Sequence, residues 1–76
     1  MELYKTKDIY EASALVTSDI KLLRLEKESN FFWFVFENLQ KSEDISSQYW
    51  NNELMVLAKD YSDAIRSLKD RLFASR

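Results

Sequence analysis

Six consecutive residues, Phe31 to Phe36, constrain the fold more than any other feature of the chain. Five of them are aromatic and the sixth, Val35, is β-branched. Side chains of both kinds favour β-strands, and a run of this length is far too short to span a bilayer. The run therefore predicts a strand over residues 31–37.

A second strand is predicted before it, over residues 20–28, with Ser29-Asn30 as a two-residue turn. This turn would pair Glu28 with Phe31, Leu25 with Phe34 and Leu23 with Phe36. One face of the hairpin would then form the core, with Leu23, Leu25, Phe32, Phe34 and Phe36. The other face would carry Phe31, Trp33, Val35, Arg24 and Glu26. A slip of one residue would reverse both faces.

Three helices are predicted around this hairpin. The first covers about residues 7–17, with Thr6 as its N-cap. The second begins at Ser42 and ends at residues 50–52, and residues 53–56 after it form either a short third strand or an extended link. The last helix has an apolar stripe at a period near 3.6 residues. That stripe consists of Leu57, Tyr61, Ala64, Ile65, Leu68 and Leu72.

This order of elements predicts an α+β fold in one domain, residues 1–76: a two- or three-stranded antiparallel sheet with helices packed mainly on one face. The last helix should cross the sheet and meet Phe34 and Phe36. Because the chain has no glycine and no proline, its turns must be made by Ser, Asn and Asp, which tolerate the left-handed conformation or bond their own backbone.

Composition excludes several kinds of chemistry. The chain has no cysteine, so it has no disulfide or thiolate metal site. It has no histidine, the usual general base near neutral pH, and no glycine for a phosphate-binding loop. We therefore expect no enzymatic activity, no cofactor and no metal. No apolar signal segment follows Met1, so we expect a cytoplasmic protein with no membrane association.

The aromatic strand supplies one candidate partner surface. If helices cover only one face of the hairpin, Phe31, Trp33 and Val35 are left partly exposed on the other, where they could bind a protein partner or a second copy of the chain. The alternative is that a helix or a chain terminus covers this face.

A second candidate surface lies on the last helix, where Arg66, Lys69, Arg71 and Arg76, with Lys59, could contact phosphates. Acidic residues share that helix, and basic groups also favour a helix C-terminus, so we favour a solvated face. Glu43 and Asp44 are interpreted as charges near a helix N-terminus. The Tyr49-Trp50 pair is typical either of an interface or of a core seal, and we favour the seal.

Four segments together resemble a family of small bacterial and phage proteins whose function is unknown. They are Tyr4-Lys5-Thr6-Lys7-Asp8-Ile9-Tyr10, Trp33-Phe34-Val35-Phe36-Glu37, Tyr49-Trp50-Asn51, and Ala64 to Phe73. The resemblance implies a stand-alone cytoplasmic protein and supplies no activity. The family commonly has glycine where this chain has Ser18-Asp19 and Asn51-Asn52.

These observations predict a non-enzymatic interaction domain that binds a protein partner or associates with itself. The alternative is a weak nucleic-acid-binding accessory protein of a phage or mobile element.

Overall fold

The structure is a computed structural model that describes residues 2–75. Its elements follow one another as β1 (Tyr4–Thr6), α1 (Ile9–Thr17), β2 (Leu22–Lys27), β3 (Phe32–Phe36), α2 (Leu39–Trp50) and α3 (Ala58–Ala74). The strands form one antiparallel sheet in the order β1-β3-β2. The α+β architecture predicted from the sequence is confirmed.

The hairpin register matches the prediction over most of its length. Leu25 pairs with Phe34, and the amide of Glu28 donates to the carbonyl of Phe31 at 2.8 Å. At the far end Leu22, not Leu23, pairs with Phe36, because Leu23 is an extra residue in a β-bulge. The prediction that Leu23 lies in the core is therefore wrong: Leu23 is exposed, and Leu22 packs against the core instead.

The third strand is β1, near the N-terminus. Tyr4 pairs with Phe36 and Thr6 with Phe34, which makes β3 the central strand. Residues 53–56 contain no strand, so the extended link is the correct alternative for them. The predicted N-cap at Thr6 is wrong, because the Asp8 carboxylate caps α1 by accepting from the amides of Tyr10 and Glu11.

The core lies between the sheet and the helices. Phe34 and Phe36 of β3 are buried against Ala12 and Leu15 of α1 and Leu68 of α3. Phe32, which we expected in the core, is only half-buried. On α3 the predicted stripe is buried at Ala64 and Leu68, while Leu57 lies just before the helix and is exposed.

A polar cluster joins β1, α1 and α2. The Glu11 side chain of α1 is buried and accepts hydrogen bonds from three hydroxyl groups. Thr6 donates at 2.7 Å to one carboxylate oxygen, while Ser46 (at 2.6 Å) and Tyr4 donate to the other. Burial first, and then the hydrogen bond to Glu11, raise the pKa of the Tyr4 hydroxyl.

Three residues other than glycine adopt the left-handed backbone conformation, which usually favours glycine. Asp19, Asn38 and Asn52 have φ values of 66°, 64° and 61°. Asn38 also caps α2 by accepting from the amide of Lys41 at 3.1 Å, so this helix begins at Leu39, earlier than the predicted Ser42. Asp19 and Asn52 occupy the places where the resemblance implies glycine, which explains how the chain keeps these turns without it.

The Asn52→Gly variant is expected to be more stable than the Asn52→Ala variant by about 1–2 kcal/mol in free energy of unfolding. The reason is that the left-handed backbone conformation at position 52 is unfavourable for alanine and not for glycine. Urea denaturation of both variants gives the difference. The neighbouring Asn51 has φ −90° and is the matched control: there the alanine variant should be at least as stable as the glycine variant. The same order of stabilities at both positions would contradict the prediction.

Candidate functional site

A groove lies between α1 and the segment that joins α2 to α3. We call residues 51–57 the connecting segment. The groove has a volume of about 300 Å³, at the lower end of the range for small-ligand pockets. Its lining comes from α1, the end of α2, the connecting segment and the first turns of α3. The lining residues are Ala14, Tyr49, Asn52, Leu54, Val56 and Tyr61.

The turn at the end of α2 directs the connecting segment over α1. Asn52 adopts the left-handed conformation, and the amides of Glu53 and Leu54 both donate to the carbonyl of Gln48, at 2.8 and 3.2 Å. The chain then runs on to Leu57, whose backbone is extended. Ala14 is buried on the side of α1 that faces the groove. Thus the connecting segment borders α1 beside the buried Ala14.

Large apolar side chains adjoin the lining residues along the chain. Met55 is 91% exposed, Leu57 71% and Trp50 57%. The Trp50 ring packs edge-on against Tyr49, with ring centroids 5.0 Å apart. We had favoured the Tyr49-Trp50 pair as a seal for the core, but Trp50 lies mostly in solvent. The segments that line the groove therefore also carry large exposed apolar side chains.

Two tyrosines, Tyr49 and Tyr61, and the Asn52 amide supply the polar groups of the groove. The Tyr61 hydroxyl donates to the backbone carbonyl of Tyr10 at 3.1 Å. Burial raises the pKa of Tyr61 to about 12, and a hydrogen bond with Tyr49 and the nearby Asp8 carboxylate act in the same direction. Tyr61 is therefore a neutral hydrogen-bonding group at physiological pH, suited to contact with a ligand and poorly suited to act as a nucleophile.

The partner surface predicted on the sheet differs from expectation at Val35. Phe31 and Trp33 are half-buried and pack edge-on, with ring centroids 5.3 Å apart. The alternative that leaves Val35 partly exposed is wrong for this residue, since Val35 is 0% exposed. It lies on the central strand, opposite Lys5 on one side and Arg24 on the other, so residues of both outer strands flank it and it offers no contact surface.

Ion pairs further limit the apolar area on this face. Lys5 of β1 and Arg24 of β2 both bind the Glu26 carboxylate, at 2.8 and 2.7 Å, and they lower the pKa of Glu26. The Lys7 ammonium lies 4.9 Å from the centre of the Phe31 ring. The sheet face is therefore largely charged, with Trp33 and Phe31 as its apolar part. Its role as a partner surface stays a prediction.

The predicted basic set on α3 is interrupted by acidic side chains. Arg66, Lys69 and Arg71 are exposed, and Arg66 lies 3.8 Å from the Asp63 carboxylate. Asp63 and Asp70 line the same shallow depression as Arg66 and Arg71. Arg76 lies outside the described residues. Contact of these residues with nucleic acid stays a prediction.

Glu43 and Asp44 are exposed and lie in the second turn of α2, because this helix begins at Leu39. The interpretation of both as charges near the helix N-terminus is therefore wrong, since the first turn has no acidic residue. In the part of the chain that the structure describes, acidic side chains form no group that could hold a metal ion. Within residues 2–75, no helix has both the length and the apolar character that a bilayer span needs.

Fold and groove together define a small α+β domain built on a three-stranded antiparallel sheet. The chain belongs to the family described as Domain of unknown function (DUF5659), whose model matches residues 1–74. The match agrees with the resemblance of the chain to an uncharacterised family. No curated protein and no solved structure matches the chain.

Proposed function

We propose that this chain is an interaction domain without enzymatic activity, and that its groove binds a segment of a protein partner. The observation that carries the proposal is the exposure of Met55, Leu57 and Trp50 beside the groove. Single exposed apolar residues are ordinary, but several large ones on the segments that line one concave site are typical of binding sites. Trp and Tyr are also the residues most enriched among those that dominate binding energy.

Binding is a better interpretation of this groove than catalysis. Its polar groups are the Tyr49 and Tyr61 hydroxyls and the Asn52 amide. Without histidine or cysteine, the chain lacks the side chains that most often serve as a general base or an activated nucleophile near neutral pH. The cytoplasmic location and the bacterial or phage origin remain part of the proposal, supported by the sequence resemblance.

Selection from a random peptide library on the immobilised domain tests the proposal without a known partner. Enriched peptides are then titrated into a Trp33→Phe variant, in which Trp50 is the sole remaining tryptophan. We expect Trp50 emission to shift to shorter wavelength, because the bound segment covers the exposed ring.

Two matched aspartate variants locate the binding surface. In the same Trp33→Phe background, Leu57→Asp should weaken binding about tenfold or more, the effect of losing one well-buried apolar contact. Leu23→Asp places the same charge on an exposed leucine of the sheet and should leave affinity unchanged. The proposal fails if no peptide is enriched, or if binding is lost with Leu23→Asp and kept with Leu57→Asp.

A further inference from the structure

The connecting segment has the side-chain pattern of a β-strand but no partner strand within residues 2–75. From Glu53 to Leu57 the residues alternate between exposed and half-buried. Leu54 and Val56 face the groove, while Glu53, Met55 and Leu57 face solvent. This period of two is that of an extended strand lying on an apolar surface.

The backbone of the segment is also unpaired. Across residues 2–75, no hydrogen bond uses the amide N–H groups of Met55, Val56 and Leu57 or the carbonyl groups of Leu54, Met55 and Val56. An extended segment with unused donors and acceptors is a template for strand addition, in which main-chain hydrogen bonds supply affinity and alternate side chains supply specificity.

We propose that the partner segment binds as a β-strand paired with residues 53–57, and that it alternates apolar with basic side chains. This inference rests on the proposed function of the groove. Pairing would satisfy the unused backbone groups on one edge of the segment and place every second side chain of the partner over the groove or beside Met55 and Leu57. The segment, for which the sequence allows either a strand or an extended link, would then gain a neighbouring strand from another protein.

Charge around the groove favours a basic partner. Residues 8–20 and 45–63, which frame it, carry one basic side chain, Lys59, and that ammonium is paired with Asp63 at 3.0 Å. Two carboxylates lie close to the groove: Glu53 belongs to the connecting segment, and Asp8 is near enough to Tyr61 to raise its pKa. Asp19, Asp60 and Asp63 line a separate depression between α1 and α3. Electrostatic complementarity matches this acidic surface to positive charge on the partner.

The experiment uses the tightest peptide from the library selection and the complete ¹⁵N-labelled domain. We expect the selected sequences to alternate apolar and basic residues, and the bound peptide to slow amide exchange at alternate positions of residues 53–57. Two N-methylated peptides, with methyl groups on the odd or on the even amides, test the pairing. One of the two peptides should bind at least about tenfold more weakly than the parent. The reason is that a strand directs either its odd or its even amides toward a given neighbouring strand.

The outcomes separate this inference from the proposed function. If both methylated peptides bind like the parent while Leu57→Asp still weakens binding, the groove binds its partner without strand pairing. The inference then fails while the proposed function stands.

Replacing the basic residues of the peptide by glutamate should weaken binding at least about tenfold at low salt, and unchanged affinity would refute the charge assignment. If the domain alone shows the same slowed amides and sediments as a dimer, the occupant is a second copy and the inference is overturned.

Discussion

Phe34→Ala is expected to lower the free energy of unfolding by about 3–5 kcal/mol, the usual loss for removing a buried phenyl ring. Phe34 is 1% exposed and lies on the central strand, paired with Thr6 on one side and Leu25 on the other. Its ring belongs to the cluster that joins the sheet to α1 and α3. A domain of this size has little stability in reserve, so the variant should be largely unfolded at room temperature.

Chemical denaturation followed by circular dichroism measures the Phe34→Ala effect. Met55→Ala is the control, because it removes a large apolar side chain that is 91% exposed and should cost less than about 1 kcal/mol. A denaturation midpoint for Phe34→Ala equal to that of the parent would show that Phe34 is not in the core.

Glu11→Ala is expected to cost about 3 kcal/mol, although the change removes a charge from the interior. The carboxylate is the common acceptor for the Tyr4, Thr6 and Ser46 hydroxyls. Without it, buried donors contributed by β1 and α2 lose their acceptor, and the penalty for unsatisfied buried groups exceeds the relief of removing the charge. The N-terminal strand also loses its main polar link to the helices.

Thermal and urea unfolding of Glu11→Ala, Glu11→Gln and Glu43→Ala distinguishes this network from a general charge effect. The glutamine side chain keeps one carbonyl acceptor, so Glu11→Gln should lower the free energy of unfolding less than Glu11→Ala does. Glu43 is exposed on α2 and its removal should change stability by less than about 0.5 kcal/mol. If Glu11→Ala were as stable as the parent, the hydroxyl cluster would not hold β1 in place.

Local rules were sufficient to predict the hairpin and the fold class. The two-residue turn at Ser29-Asn30 sets the register up to the pair of Arg24 with Val35. Beyond that pair the prediction fails because a bulge at Leu23 has no distinctive local pattern. β1 was missed for a different reason. Three residues carry too little periodicity to mark a strand, and its partner β3 lies about thirty residues away in the chain.

The groove could not be located from the sequence, because it exists only once the connecting segment folds back over α1. Two of its features were nevertheless visible: the Tyr49-Trp50 pair and the strand-like residues 53–56. Their exposure depends on tertiary packing, which composition and periodicity do not specify. At Val35 the sequence allowed exposure where the structure shows burial. Residues of both neighbouring strands flank Val35 and exclude solvent from it.

The strand order has a consequence for how the chain folds during its synthesis. Both outer strands leave the ribosome before the central strand that must pair with them. Until residue 36 emerges, neither β1 nor β2 has its neighbour in the sheet, and Leu68 of α3 completes the core later still. The nascent chain therefore cannot acquire its core stepwise from the N-terminus. Premature termination before α3 would leave the surface of α1 that packs against α3, and the core position of Leu68, open to aggregation and proteolysis.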